Sequence, residues 1–340
     1  MNFVSSTRGG ATPTVMGPSF RTIALVMAVT AGLLPVVLWA KECPTFDPVR
    51  TVEALSHYSD EAGSEVDVEN RSATFELTRS IRQLVSYSAD AMDHRATDRM
   101  ECSFGQLKVW AAADALLGQP ANFAGKRNRL RYAQGINVVL LKAAHQGMRA
   151  DIVQNWSQEV TRAVVTDFRG RKRIDNLRVA SGIAAASSAL LLADPMLEAY
   201  GAQTLALALE AISNEGFVAA ELTRGSRARL YHAAYLSGVV TLKALMERLS
   251  EKKTVGGEDR ISRLAETLSE SFCDPSMMSS RAKVASQQDV SLATFAPVQV
   301  LTPDLWRQSL ARCVRGKVPM VNPAGGGDWR EFGRVLAAPG

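Results

Sequence analysis

From about residue 74 onward, apolar positions recur at intervals of three and four, the period of helices with one buried face. The pattern predicts helices over Thr74–Ala91, Ser103–Leu117, Lys126–His145, Ala150–Phe168, Asn176–Leu192, Pro195–Ile212, Arg224–Leu249 and Arg260–Phe272. A last one is expected over Pro303–Val314. Breakers separate them: Gly118-Gln119-Pro120, Gly147, Gly170, Asp194-Pro195, Asn214-Glu215-Gly216, Gly256-Gly257 and Asp274-Pro275. Asp194 ahead of Pro195 is a helix cap followed by proline at the first helical position. Val179–Ala193 is almost wholly small and apolar, so that helix should be buried all round. Ahead of the helices, 41–70 reads as an irregular arm laid over the surface, with a short helix near Val49–Tyr58. Strand-like alternation occurs only over Phe295–Leu301, and the tail from Asn322 is Gly-rich and expected to be loosely held. The class is therefore all-α, with short connections that favour antiparallel neighbours. Pattern alone leaves a toroid of helical hairpins and a globular bundle equally open.

The amino terminus follows other rules. Met1–Phe20 is polar and lacks acidic residues, and Arg21 precedes an uncharged apolar run over Ile23–Ala40. This is the layout of an export signal over residues 1–40, cleaved after Ala40, with an uncleaved anchor as the alternative. The expected location is periplasmic or secreted, with no stable membrane span once the signal is removed. The remaining plan is a helical domain over 41–320 and a Gly-rich tail over 321–340. All four cysteines, Cys43, Cys102, Cys273 and Cys313, lie beyond the signal. An even count in an oxidising compartment points to disulfides, and no pair has metal-ligand spacing. Sequence leaves the connectivity open; the sequential pairing, Cys43–Cys102 and Cys273–Cys313, is the expectation. The net charge of +5 is too mild to require a polyanion, and no nucleic-acid partner is expected.

Two stretches carry candidate chemistry. In Gly216–Met246, Arg224 and Tyr231 lie seven positions apart. On a continuous helix they leave one face, roughly 10 Å apart along the axis. A cation and a phenol along one groove suit an acidic sugar and a moving proton; read plainly, they are a surface charge and a core residue with a wet tip. The second stretch, Arg169–Arg178, sets Arg169, Arg171, Lys172, Arg173 and Arg178 around Asp175-Asn176. Behind an export signal, its anion would be a polysaccharide or lipid head group; otherwise it is a solvated basic loop. Fingerprints of the common hydrolases, P-loop proteins and dinucleotide binders are absent, and no cofactor or metal is implied.

The segment GFVAAELTRGSRARLYHAAY resembles the alginate lyases, a family of periplasmic poly(mannuronate) lyases, through Gly216, Phe217, Glu221, Leu222, Arg224, Arg227, Tyr231 and His232. Three weaker stretches add Cys102, Trp110, Ala113 and Leu116; then Gly125, Lys126 and Gly135; then Ile174-Asp175-Asn176. The similarity runs from about Cys43 to Ile261. It implies an incomplete α/α toroid, a barrel of antiparallel helical hairpins, that cleaves an acidic polysaccharide by β-elimination as a monomer. Carried over by position, Arg224 and Asn176 neutralise the uronate carboxylate, and Tyr231 acts as both base and acid. Lys126, Arg178 and Arg227 are candidate subsite cations. The tyrosine pKa would have to fall, an effect expected of Arg224 and Arg227.

The chain departs from the family pattern at several positions. Leu177 stands where the family has its catalytic histidine and can neither donate nor accept a hydrogen bond. Val179 and Ala180 replace an aromatic pair, and Ala234 replaces a further tyrosine. Asp175 brings a negative charge towards the expected carboxylate site. His57, His94, His145 and His232 read as surface or packing residues. The rival expectation is a catalytically inactive relative that binds polysaccharide or an export or cell-envelope partner. A helical envelope protein with no sugar ligand is a third.

Overall fold

The computed structural model describes residues 43–60, 65–250 and 256–338. The expected signal over 1–40 lies outside them. Fourteen α-helices are present among the described residues: α1 Val68–Leu77, α2 Arg79–His94, α3 Thr97–Ala112, α4 Phe123–His145, α5 Asp151–Phe168, α6 Asn176–Leu192, α7 Pro195–Glu210, α8 Ala219–Leu222, α9 Ala228–Ser250, α10 Glu258–Cys273, α11 Pro275–Arg281, α12 Ala296–Leu301, α13 Pro303–Gln308 and α14 Trp329–Ala337. The short strands β1 (Val321–Asn322) and β2 (Gly327–Asp328) pair antiparallel.

The small apolar residues of α6 decide the architecture. Val179, Ala184, Ala185 and Ala186 are fully buried, and with so little side-chain bulk α6 packs against α4, α5, α7 and α9 together. The α9 backbone comes close at Gly238, where a Cβ would lie 2.9 Å from a Val179 methyl. Its ends are set by sequence: Asp175 accepts from the Arg178 N–H at 3.1 Å, and Asp194 caps α7 through the Met196 and Leu197 amides. Hairpins α2/α3, α4/α5, α6/α7 and α9/α10 stand side by side, with α2, α4, α6 and α9 forming an inner run of neighbours. This is the incomplete α/α toroid, and α4, α6 and α9 turn one face to a cleft on its inside. The two disulfides join Cys43 to Cys102 and Cys273 to Cys313, the sequential pairing.

Four expectations change. The expected helix Thr74–Ala91 is two helices, α1 and α2, meeting at Thr78, whose hydroxyl donates to the Thr74 carbonyl at 2.7 Å. No helix forms over Val49–Tyr58: Val49 and Arg50 carbonyls accept from Leu116 and Gly118 amides, and Val52 and Ala54 are buried in alternation as in a strand. Phe295–Leu301 is a turn and a helix, because Pro297 occupies the first helical turn, where its missing N–H costs nothing. The Gly-rich tail is firmly attached. Lys142, 1% exposed, donates to the Gly326 and Asp328 carbonyls at 2.7 and 3.1 Å and to Asp93 at 2.5 Å. Asp93 in turn accepts the Asp328 amide, and Phe332 of α14 is buried.

Candidate active site

A cleft of about 680 Å³ opens between α4, α6, the turn before α9 and the amino-terminal arm. It is lined by Tyr231, Arg224, Asn176, Leu177, Arg127 and Arg131, and by His57, Tyr58 and Asp60 of the arm. Arg224 and Tyr231 do meet, but not across two turns of one helix. Arg224 sits on a turn ahead of the 3₁₀ segment Gly225–Arg227, and α9 begins at Ala228. The turn folds the Arg224 guanidinium over the Tyr231 ring, 4.7 Å from its centre. Arg227 stacks on the same ring at 5.4 Å and on Tyr58 at 4.9 Å.

Behind the cleft, a buried acidic pair positions these groups. Asp175 is fully buried, bound to Arg171 at 2.5 Å and within 3.5 Å of Arg224. It therefore caps α6 and anchors a guanidinium instead of presenting a charge to the cleft. Glu221 accepts the Asn176 amide at 2.6 Å and approaches Arg224 at 3.7 Å. Burial first, and then the Asp175 charge, push its carboxyl up to about 7, against the lowering effect of the Asn176 amide and the arginines. Folded Glu221 thus binds a proton that the unfolded chain has lost, and its contribution to stability falls as pH rises from about 4.5 to about 7. Relative to the wild-type protein, Glu221→Gln is expected to gain about 2–3 kcal/mol between pH 5 and pH 8, read from urea unfolding at both pH values. The comparison with wild type matters because His57 and His232, both held down to about 4, act in the opposite sense between about 4 and 6.5.

Tyr231 itself is raised, not lowered. Burial is the main cause, and Tyr58, whose hydroxyl lies 2.5 Å from that of Tyr231, raises it further; Arg227 and Arg224 offset only part of this. The phenol therefore holds its proton at neutral pH.

The other sequence candidates divide. Arg227 belongs to the site through its two aromatic contacts. Lys126 points away, pairing with Asp167 at 3.3 Å, and Arg178 is buried, donating to the Phe168 carbonyl and stacking on Tyr200. Of the basic run, Arg171, Arg173 and Arg178 are spent on the chain's own groups, Arg173 by donating to the Ala220 carbonyl and Thr223, while Arg169 and Lys172 are exposed. His232 is structural: fully buried, it hydrogen-bonds the Ala228 carbonyl through Nδ1 at 2.8 Å and accepts the Val218 amide at Nε2. Position 177 does face the cleft, with leucine there.

Sequence reading passed over Arg127, Arg131, Gln134, Tyr58 and His57. The first three are spaced four and three apart on α4, a one-face pattern that stood one residue from the chosen Lys126. His57 is set by the arm, where the Asp67 amide binds its carbonyl. Its Nε2 is buried without a hydrogen-bond partner among the described residues, and burial with Arg127, Arg71, Arg131 and Arg227 nearby keeps the ring neutral. No cluster of His, Cys, Asp and Glu suited to a metal occurs among the described residues.

Comparison with known proteins fits this arrangement. Residues 128–277 match the alginate lyase family model. A polysaccharide lyase of Stenotrophomonas maltophilia is 25% identical over 260 residues, covering 72% of this chain and 78% of that one. Over this stretch the chain is similar to the alginate lyases. An alginate lyase of Cobetia marina is 25% identical over 190 residues, 51% of this chain and half the length of that relative. Among solved structures, alginate lyase A1-III, as a tyrosine-to-phenylalanine variant complexed with a tetrasaccharide, superposes with a TM-score of 0.69 at 14% identity. That match covers 88% of this chain and 86% of the other. A histidine-to-alanine variant of the same protein, also complexed with a tetrasaccharide, gives 0.67 at 15% identity. The alginate lyase fold is thus shared well beyond the segment that the family model matches.

Proposed function

We propose that this chain is a polysaccharide lyase acting by β-elimination on an acidic, uronate-containing polysaccharide outside the cytoplasm, such as polymannuronate, alginate or glucuronan. The observation that carries the reading is Tyr231, a phenol beneath two guanidiniums at the wall of a cation-lined cleft. The C5 proton of a uronate is acidic only once its carboxylate is neutralised. Arg224, held from behind by Asp175 and Glu221, and the side-chain amide of Asn176 are the groups assigned to that carboxylate. Arg127 and Arg131 supply further positive charge along the cleft. Tyr231, deprotonated, takes the C5 proton and then gives it to the leaving O4. The C4–O4 bond breaks, a C4=C5 double bond forms, and no water is consumed. The reading needs proton and leaving oxygen on one side of the ring, within reach of a single phenol.

The test is the ultraviolet absorbance of the unsaturated product when purified protein meets polymannuronate, alginate, polyglucuronate and hyaluronate. Absence of signal on every acidic polymer at every pH would end the proposal. Because the Tyr231 pKa is raised, its base form grows with pH, so kcat/KM should climb on the alkaline side of neutrality. Tyr58→Phe removes a hydroxyl that raises that pKa and is expected to move the climb to lower pH, checked by a pH–rate profile against wild type.

Leu177 supports a second reading, a non-catalytic polysaccharide binder, since an aliphatic side chain faces the cleft where a donor would serve. Saturable binding of an acidic polymer with no absorbance change would favour it.

A further inference from the structure

The cleft does not end at the arginines. A second chamber of about 470 Å³ continues from it, sharing Arg131, Gln134, Asn176 and Ala180. The chemistry changes across that junction. Among its described lining residues the chamber has no carboxylate and no cation other than Arg131 at the shared end; its walls include Ile183, Ala234, Gly238, Pro297 and Trp329. Two of its hydroxyls are already engaged: Ser237 donates to the Thr294 carbonyl at 2.5 Å and Thr241 to the Ser237 carbonyl at 2.8 Å.

The helix that carries the phenol also sets where the chamber begins. Tyr231, Ala234, Gly238 and Thr241 follow one another along α9, and at a rise of about 1.5 Å per residue Ala234 lies only ~4.5 Å along the axis from Tyr231. The chamber therefore receives the sugar next to the bond being cut. A carboxylate on that sugar would lose its water and meet no compensating cation, an unfavourable exchange. A methyl or acetyl group would meet apolar walls and the Trp329 indole.

Resting on the lyase reading above, we propose that the substrate is a heteropolysaccharide in which the uronate held at Arg224 is flanked by an uncharged hexose carrying an acetamido or deoxy group. The chamber takes the uncharged unit and the arginine-lined cleft takes the acidic one. A polymer of uronates alone would place a carboxylate in each.

The experiment compares kcat/KM, from product absorbance, on hyaluronate, in which glucuronate alternates with N-acetylglucosamine, against polyglucuronate and polymannuronate. Wild-type protein is expected to prefer the alternating polymer by about tenfold or more. Ala234→Arg, which places a cation in the chamber, is expected to reverse that preference. Equal or better cleavage of the homopolymers by wild type, or an unchanged preference in Ala234→Arg, overturns the inference while leaving the lyase reading intact. If no polymer is cleaved, the lyase reading fails, and calorimetric binding of hyaluronate and polyglucuronate oligosaccharides decides the chamber separately. Tighter binding of the alternating oligosaccharide, lost in Ala234→Arg, supports it; equal or weaker binding overturns it. Ala234→Arg thermal unfolding within a few degrees of wild type keeps the comparison sound, and Ala234→Lys, a second cation at the same wall, should shift the preference in the same direction; an unchanged preference in both variants overturns the inference.

Discussion

Tyr231→Phe is expected to lower the rate of β-elimination by about two to four orders of magnitude, the usual contribution of a positioned acid–base group. The substitution removes one oxygen and leaves the ring on which Arg224 and Arg227 stack. Binding of the polymer should therefore survive, with KM changing far less than kcat. The variant also frees Tyr58 from its contact with the Tyr231 hydroxyl, so its fold is to be checked by circular dichroism and thermal unfolding. Activity within threefold of wild type would remove Tyr231 from the reaction. Retained binding with lost turnover would assign it the proton, because a residue that merely packs would disturb both together.

The second large effect is on stability. Lys142→Ala is expected to cost about 3–5 kcal/mol, the range for breaking a buried ion pair by removing one partner. The ammonium is 1% exposed and holds Asp93 with the Gly326 and Asp328 carbonyls, so its loss leaves a buried carboxylate and two carbonyls without their donor. Burial pulls the lysine down and the Asp93 carboxyl up; the hydrogen bonds keep the pair in place. Urea unfolding gives the loss directly. Limited proteolysis should show earlier cutting between β1 and α14 than in wild type, since that segment loses its anchor. A change below about 1 kcal/mol would mean that the tail is held chiefly by Phe332 and its neighbours.

These two cases also show which features could be read from sequence. The helices α6 and α7 were legible because their caps are local: Asp175 and Asp194 act within three residues of themselves. The Arg224–Tyr231 pairing was legible as a spacing, although a turn and not a helical face produces it. Lys126 was chosen where Arg127 lines the cleft, a one-residue shift that moves a helical side chain by about 100°. Tyr58 could not be read from sequence at all, because its partner is 173 residues away. The arm and the Gly-rich tail failed for the same reason. Each has weak local preference and takes its order from distant backbone and buried charge, as Val49 does from Leu116 and Gly326 from Lys142. The direction of the tyrosine pKa failed differently: neighbouring cations were visible, but the extent of burial was not.

The cleft draws its walls from both ends of the described chain, Ser56–Asp60 on one side and Val321–Trp329 on the other, with the helical body between them. A ribosome-bound intermediate that has reached only residue 320 can fold much of the inner helical run and still lack the floor of its second chamber. Completion of the chamber therefore waits on residues 321–329, and a fragment ending at residue 320 would be helical without that wall.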